Sequence, residues 1–384
     1  MSGPETSMST PTSTLELRST VSDDGSVRLA LHRDDVPPPS DDQVVVRVEA
    51  APINPSDLGM LFGMADLGEL TASEIDGQAG VSAQMSPAAL AAQRARVGQP
   101  MPVGNEGAGT VVAAGASPAA QALVGRVVGF LSGNSYAEYR TLGVAQCLPM
   151  PDGVTPEQAA APFVNPLTAL GMVETMRAEG HTALVHTVGA SNLGLMLNRV
   201  CIADDVPLVN IVRRPEHVES LRAAGAAHVC DSSADDFVAQ LTDALRATGA
   251  TIAFDAIGGG DLAGTLLSCM ERVAGERADG FSRYGSDTLK QVYVYGGLDR
   301  GPTVLRRDFG MSWAIGGWLL TPFLGKLGQA GTDRLRQRVA DEITTTFASS
   351  YGMRLSLSDA VDPDQVRRYA RMATAEKALV TPHG

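Results

Sequence analysis

HTALVHTVGASNLGLMLNRVCIADDVPLVNIVRR, residues 181–214, reads as strand, turn, helix and strand. The apolar run at 183–186 makes the first strand, 188–194 a glycine-bearing turn, 195–201 a helix, and a second apolar strand ends at Arg213. This order is the opening unit of a dinucleotide-binding sheet, in which backbone N–H groups at the helix start hold a pyrophosphate. The glycine spacing is looser than the G-x-G-x-x-G/A fingerprint, since Gly189 and Gly194 stand with A-S-N-L between them. The candidate pyrophosphate residues are Gly189, Ala190, Ser191, Asn192, Leu193 and Gly194. The same residues would also build an ordinary strand-to-helix turn.

Length and composition frame that unit. A chain of 384 residues exceeds one ordinary core, so two domains are expected. An apolar share of 44% with 19% charged residues describes a soluble globular protein that buries a sizeable core. The formal charge of −13, with no basic run, argues against nucleic acid as a partner, because binding a phosphate backbone needs clustered Lys and Arg. Cys147, Cys201, Cys230 and Cys269 lie far apart with no C-x-x-C pair, which fits a reducing, cytoplasmic setting. Residues 1–13 read as a flexible polar tail without the features of a signal peptide. The longest apolar run, 313–324, contains Gly316, Gly317 and Pro322 and is too short to span a bilayer, so no membrane partner is expected.

Outward from the opening stretch, strand runs at 208–212, 228–230, 252–256, 292–295 and 312–320 alternate with helices. This predicts an α/β fold with a doubly wound parallel (Rossmann) sheet over residues 165–324. Upstream, three strand-like runs between 14 and 50 precede four short strands at 110–114, 126–130, 136–141 and 145–148, and a sheet curling into a barrel is the natural solution. Residues 51–63 pass through N-P-S-D into a short helical turn that Ser56 or Asp57 can cap. Residues 65–103 read as a polar, alanine-rich insertion with a helix at 87–96, either a surface excursion or a cover over a substrate cleft. A helix over 156–176, capped at Thr155 with Gln158 three residues on, leads into the sheet domain. A helix at 332–349, a strand at 353–357, a helix at 363–372 and a strand at 378–380 return to the barrel domain, which thus takes 14–164 and 325–384.

Several short motifs follow in one order: A-P-I-N-P-S-D at 51–57, G-N-E-G-A-G at 104–109, Y-A-E-Y at 136–139, N-P-L-T-A at 165–169, A-S-N-L-G at 190–194, N-I-V-R at 210–213 and Y-G-G at 295–297. In them the chain resembles the medium-chain dehydrogenase/reductase superfamily, and within it the zinc-independent quinone oxidoreductases and 2-enoyl thioester reductases. The resemblance spans about Leu15 to Pro382 and implies a GroES-like, partly open β-barrel catalytic domain beside the Rossmann domain. It implies Asn54 beside a nicotinamide and Thr168 against its unreactive face. It also implies D-A-I-G-G at 255–259, with Ile257, near an adenosine, and Tyr295, Gly296 and Gly297 near the nicotinamide, with Gly317 and Trp318 joining from the sixth strand. The Trp318 ring reads more readily as core than as ligand, and Tyr136 and Tyr139 as barrel packing.

Zinc-dependent relatives place a Cys where this chain has Asn54 and a His where it has Asn105. Neutral amides cannot replace thiolate and imidazole in a tetrahedral zinc site, so no metal is expected. At the end of the second sheet strand, where an NAD enzyme carries Asp or Glu, Arg213 and Arg214 offer guanidinium groups to a 2′-phosphate, which points to NADPH. The basic pair would otherwise be a solvated turn. The expected function is metal-free transfer of hydride from NADPH to a small-molecule acceptor, an enone, enoyl thioester or quinone. The alternative is a non-catalytic NADPH-binding structural or redox-sensing protein. One departure bears on the acceptor, since Ala65 stands where the enoyl thioester reductases carry a tyrosine. The apolar sixth strand, at a sheet edge, predicts a homodimer with a continuous sheet.

Overall fold

The computed structural model describes residues 11–75, 77–278, 280–373 and 376–384. The chain divides into two compact units, one running up to Val164 and resuming at Arg336, the other covering Asn165–Leu335. The return falls later than the expected residue 325, because the helix that begins at Leu320 stays with the second unit as far as Leu335.

The first unit begins with β1 (Ser13–Val21), β2 (Ser26–Asp35) and β3 (Gln43–Pro52), followed by α1 (Pro55–Phe62). Asn54, not Ser56 or Asp57, is the N-cap residue of α1, and Asp57 in the first turn reaches back to its N–H. Residues 65–103, expected as an insertion with one helix, carry strands as well. They form a hairpin, β4 (Asp66–Ile75) and β5 (Gln78–Gln84), then α2 (Pro87–Ala92) and β6 (Met101–Pro102). The hairpin extends one sheet in the order β4-β5-β2-β1-β6. Its pairing register shifts between Asp66 and Thr71, and only Leu67 and Leu70 of its first half pack on the core, so its alternation is too faint to read as a strand.

The unit continues with β7 (Glu106–Ala114), α3 (Pro118–Gln121), β8 (Val127–Leu131), β9 (Tyr139–Gly143), β10 (Cys147–Pro149) and α4 (Pro156–Ala159). Strand β3 pairs with both β7 and β9, and Val44, Val45, Val46 and Val48 are fully buried, each contributing about 1.5–3 kcal/mol. Backbone bonds from Leu17 to Tyr136 and from Glu138 to Leu15 tie the two sheets of this unit together along β1 and close a partly open barrel. The helix expected over 156–176 is two helices. Pro162, which lacks an N–H and disfavours helix at Ala161, separates α4 from α5 (Val164–Ala178), while Thr155 and Gln158 form the expected capping box on α4.

The second unit carries β11 (Leu184–His186), α6 (Asn192–Ala203), β12 (Leu208–Val212), α7 (Pro215–Ala223), β13 (His228–Asp231), α8 (Phe237–Thr248), β14 (Ile252–Asp255), β15 (Gly258–Gly260), α9 (Leu262–Glu276), β16 (Lys290–Val294), β17 (Asp299–Thr303), β18 (Trp313–Gly317) and α10 (Leu320–Asp341). Six strands pair in parallel in the order β13-β12-β11-β14-β16-β18. The order reverses between β11 and β14, which is the switch point of a doubly wound sheet. Its core joins Val185, Val209, Ala253 and Val292 on the strands to Leu241, Leu245, Leu266 and Met270 on α8 and α9.

The sixth strand ends at Gly317 rather than at residue 320, and α10 starts earlier than the expected 332. Gly328, with φ +78, interrupts α10, which hid its first half from a periodicity reading, and the helix stops at Asp341 before the β-branched T-T-T at 344–346. The short β19 (Met353–Leu355), α11 (Pro363–Tyr369) and β20 (Ala378–Val380) complete the first unit, with β20 pairing to β3.

Candidate functional site

In the second unit, the turn after β11 is shaped by contact. A Cβ on Gly189 would lie 2.8 Å from the Asn210 side-chain oxygen, and one on Gly194 only 2.2 Å from the Gly189 carbonyl. Both positions therefore demand glycine. Ser191 caps α6 by accepting from Gly194 N–H at 3.1 Å. Val188 holds φ +54, a left-handed conformation that a β-branched residue rarely takes, so this turn stores strain at the start of the helix. Ala190 and Leu193 are buried, and Ser191 and Asn192 are half-buried. Asn210 is a buried strand residue that donates to Asn198.

Arg213 and Arg214 stand exposed just beyond the carboxyl end of β12. Arg214 approaches Glu216 at 3.9 Å, while Arg213 has no hydrogen-bond or ion-pair partner among the described residues. Beyond β14, the buried Asp255 accepts from Thr187 Oγ1 at 3.0 Å, Ile257 N–H at 2.9 Å and Gly258 N–H at 3.0 Å. That carboxylate shapes the 256–258 turn, where Gly258 takes φ +82 and Ile257 is half-buried. A Cβ on Gly296 would meet the Ala256 carbonyl at 2.7 Å, whereas Gly297 and Gly317 are exposed. The strand register thus brings Gly189, Ile257, Gly296 and Gly317 to one edge of the sheet, the carboxyl edge.

The Trp318 indole N–H donates to Thr175 Oγ1 at 3.0 Å, and its ring packs against Phe254 and Phe323, so the ring lies in the core as the sequence reading has it. The Tyr295 hydroxyl pairs at 2.7 Å with Nε2 of His186, a fully buried residue that no motif singled out. Burial pulls His186 down to about 3, so the imidazole is neutral, and burial pushes the Tyr295 hydroxyl up. Thr168 lies buried on α5.

In the first unit, Asn54 is buried at the end of β3 and held from both sides. Its Nδ2 donates to Glu106 Oε1 at 2.9 Å, and its backbone N–H donates to Asp57 Oδ2 at 2.8 Å. Asp57 Oδ1 also accepts from Asn105 N–H at 2.8 Å, and Glu106 Oε2 accepts from the N–H groups of Phe163 and Val164 at 2.8 and 2.9 Å. Burial lifts Asp57 to about 7 against these hydrogen bonds, and burial also raises Glu106, opposed chiefly by the charge of Lys377. Sequence reasoning missed Asp57, Glu106 and Lys377 as a group. Glu106 stood only as a letter within G-N-E-G, and no spacing links it to a lysine near the C-terminus.

The Asn105 amide donates to Ser56 Oγ at 3.0 Å, so both positions where zinc enzymes carry ligands hold amides engaged with protein groups. Among the described residues no cluster of three His, Cys, Asp or Glu side chains could hold a metal. Tyr136 is fully buried, donating to the Pro52 carbonyl at 3.0 Å, and the Tyr139 ring meets His383 edge-on; both pack the barrel as expected. Ala65 is half-buried against the barrel core. Among the described residues no helix is long and apolar enough to cross a membrane.

No family model matches the chain. A Synaptic vesicle membrane protein VAT-1 homolog from Rattus norvegicus is 31% identical over 169 residues, covering 43% of this chain and 41% of the relative. A Quinone oxidoreductase from Pseudomonas aeruginosa is 28% identical over 176 residues, 45% of this chain and 54% of the relative. The chain thus spans about half the length of these curated relatives or less. Among solved structures, a Mesorhizobium loti protein assigned as an NADPH:quinone reductase superposes with TM-score 0.70 at 27% identity, over 98% of this chain and all (100%) of that one. An enoyl thioester reductase from Candida tropicalis shares the fold, with TM-score 0.67 at 17% identity over 96% of this chain and 99% of that one. With the strand order of its sheet and its partly open barrel, the chain is similar in fold, and over about half its length in sequence, to quinone oxidoreductases of the medium-chain dehydrogenase/reductase superfamily.

Proposed function

We propose that the protein is an NADPH-dependent reductase of activated C=C bonds or quinones that works without a metal. One observation carries the reading: at the carboxyl end of β12 the chain offers Arg213, exposed and without a partner among the described residues, beside the strained turn that opens α6. The names of the similar proteins, NADPH:quinone reductase and quinone oxidoreductase, support it. In this reading Arg213 and Arg214 bind a 2′-phosphate, and the backbone N–H groups from Ala190 to Gly194 receive the pyrophosphate. Ile257, Gly296, Gly297 and Gly317 give backbone approach, and Thr168 lines the unreactive face.

NADPH, when bound, supplies the hydride. The acceptor takes it at the β-carbon of an enone or at a quinone, so the electron pair of the reduced double bond moves to oxygen and a proton from solvent completes the reduction. The Asn54 amide stabilises that developing charge as a hydrogen-bond donor. A conjugated acceptor suits this chain better than a ketone, because amides stand at both positions where zinc enzymes carry ligands to the metal ion that polarises a carbonyl. Stoichiometric zinc in the purified protein would contradict this part. With Ala65 in place of the tyrosine, enones and quinones suit the site better than enoyl thioesters.

Steady consumption of NADPH with a panel of enones and quinones, and none with simple ketones, is the expected result. A protein that binds NADPH but turns over no acceptor would instead support a structural or redox-sensing role. Among the described residues strand β18 pairs on one side only, and that edge supports a homodimer; a monomer in sedimentation at micromolar concentration would overturn that assembly. A reducing, cytoplasmic location suits four buried, unpaired cysteines.

A further inference from the structure

The His186–Tyr295 pair at the carboxyl edge of the sheet is left unused by the proposed chemistry. His186 closes β11 and stands in register with Phe254 on β14, which in turn stands beside Tyr293 on β16. Tyr295 lies two residues beyond Tyr293, on the same face of the sheet, and its ring reaches back past β14 to stack on the imidazole at 5.8 Å between centroids. The hydroxyl meets His186 Nε2 at 2.7 Å and has no second partner among the described residues. Nδ1 of His186 is sealed from solvent and, among the described residues, has no hydrogen-bond partner at all. A neutral imidazole carries its proton on one nitrogen only. On Nδ1 that proton would make a buried N–H without an acceptor. On Nε2 it is donated to the Tyr295 oxygen, and Nδ1 keeps a bare lone pair, the smaller penalty. The phenol hydrogen is then left for another acceptor. Because His186 is fully buried and Tyr295 only half-buried, that hydrogen is the one of the pair that a group outside the protein can meet.

We infer that His186 carries its proton on Nε2 and thereby makes the Tyr295 hydroxyl a hydrogen-bond donor to an oxygen in the nicotinamide half of NADPH. The inference rests on the reading of the sheet unit as an NADPH site. In that reading the 2′-phosphate lies at Arg213 and Arg214 beyond β12, and the pyrophosphate at the turn after β11. The rest of the cofactor then extends across the switch point, toward the ends of β14 and β16. Tyr295 follows directly on β16 and precedes Gly296 and Gly297, so its hydroxyl stands on that side of the switch point, within reach of β11. Burial pushes the hydroxyl up, so it binds as a donor and keeps its proton, and solvent still supplies the proton of the reduction.

Nitrogen-15 spectra of the full chain test the tautomer directly. The His186 signals, assigned by their loss in His186→Gln, should show a protonated Nε2 and a bare Nδ1; a protonated Nδ1 overturns the inference. Adding NADPH should shift the Nε2 signal, and adding adenosine 2′,5′-bisphosphate, which lacks the nicotinamide half, should leave it in place. Tyr295→Phe should weaken NADPH binding roughly three- to tenfold, the size of one neutral hydrogen bond, with the affinity for the bisphosphate unchanged. With an enone present the loss should fall on KM for NADPH and not on kcat, because the bond is held alike in the ground state and the transition state. Equal NADPH affinities for wild type and Tyr295→Phe, or equal losses for NADPH and the bisphosphate, overturn the donor role. Should Tyr295→Phe not fold, the wild-type spectra with each ligand decide by themselves. A wild type that binds neither ligand defeats the cofactor reading and the donor role with it, whereas an Nδ1 proton in a protein that binds NADPH defeats this inference alone.

Discussion

The two units bury carboxylates in opposite ways. Asp255, in the sheet unit, takes its donors from its own turn, Ile257 and Gly258, and from Thr187 beyond the end of neighbouring β11, all of them neutral. Asp57 and Glu106, in the barrel unit, take donors from Asn54, Asn105, Phe163 and Val164 and share a buried ammonium. The first arrangement shapes backbone. The second balances charge away from solvent, and it can change near neutral pH, with Asp57 at about 7 and Lys377 at about 8. Polar groups of equal burial thus shape backbone in one unit and balance charge in the other.

The largest effect expected from this contrast is on turnover. Asn54→Ala should lower kcat for enone reduction by roughly ten- to a thousandfold while NADPH still binds, the size lost with one donor to developing charge. Full activity in that variant, measured by NADPH consumption, would place the barrel cluster with the scaffold after all. Arg213→Ala addresses the sheet unit's contribution. Loss of a charge-assisted contact should weaken NADPH binding by about 1.5–3 kcal/mol, with NADH affinity hardly changed, and equal wild-type affinities for the two by titration would refute the role of Arg213.

Stability should follow pH through the barrel cluster. The Asp57 carboxyl titrates at about 7 when folded and near 3.9 when unfolded. Between those values the folded state binds the extra proton, so stability falls as pH rises through the window, by at most about 1.4 kcal/mol per pH unit. Lys377 acts in the other direction. From about 8 up to its unfolded value of about 10.4 the unfolded chain binds the extra proton, and stability rises with pH. Urea midpoints measured from acid to neutral pH should show the decline in wild type and lose most of it in Asp57→Asn; a slope unaltered by that substitution would remove Asp57 from the account.

The smallest effect belongs to the sheet unit. Tyr295→Phe leaves the buried His186 Nε2 without its partner and should cost about 1–3 kcal/mol in unfolding free energy with kcat little changed. A large loss of turnover with stability intact would show that the His186–Tyr295 pair belongs to the chemistry, and the contrast between the units would fail.

The features legible from local sequence lie mostly in the sheet unit. Its elements are short-range: an apolar strand, a turn that tolerates only glycine at 189 and 194, a helix, and arginines at the next strand's end. Each is specified by residues a few positions apart, and periodicity registers that scale. The hairpin at 66–84 escaped because one face is solvated and its register slips, so the alternation that marks a strand is broken within it. Folding alone sets the Trp318 indole N–H on Thr175 and brings His186 to the Tyr295 hydroxyl. It alone brought Lys377 into the field of Glu106, across more than half the chain. The reason is physical: a buried charge is tolerable only where folding supplies its partner, and no local pattern encodes a partner that distant.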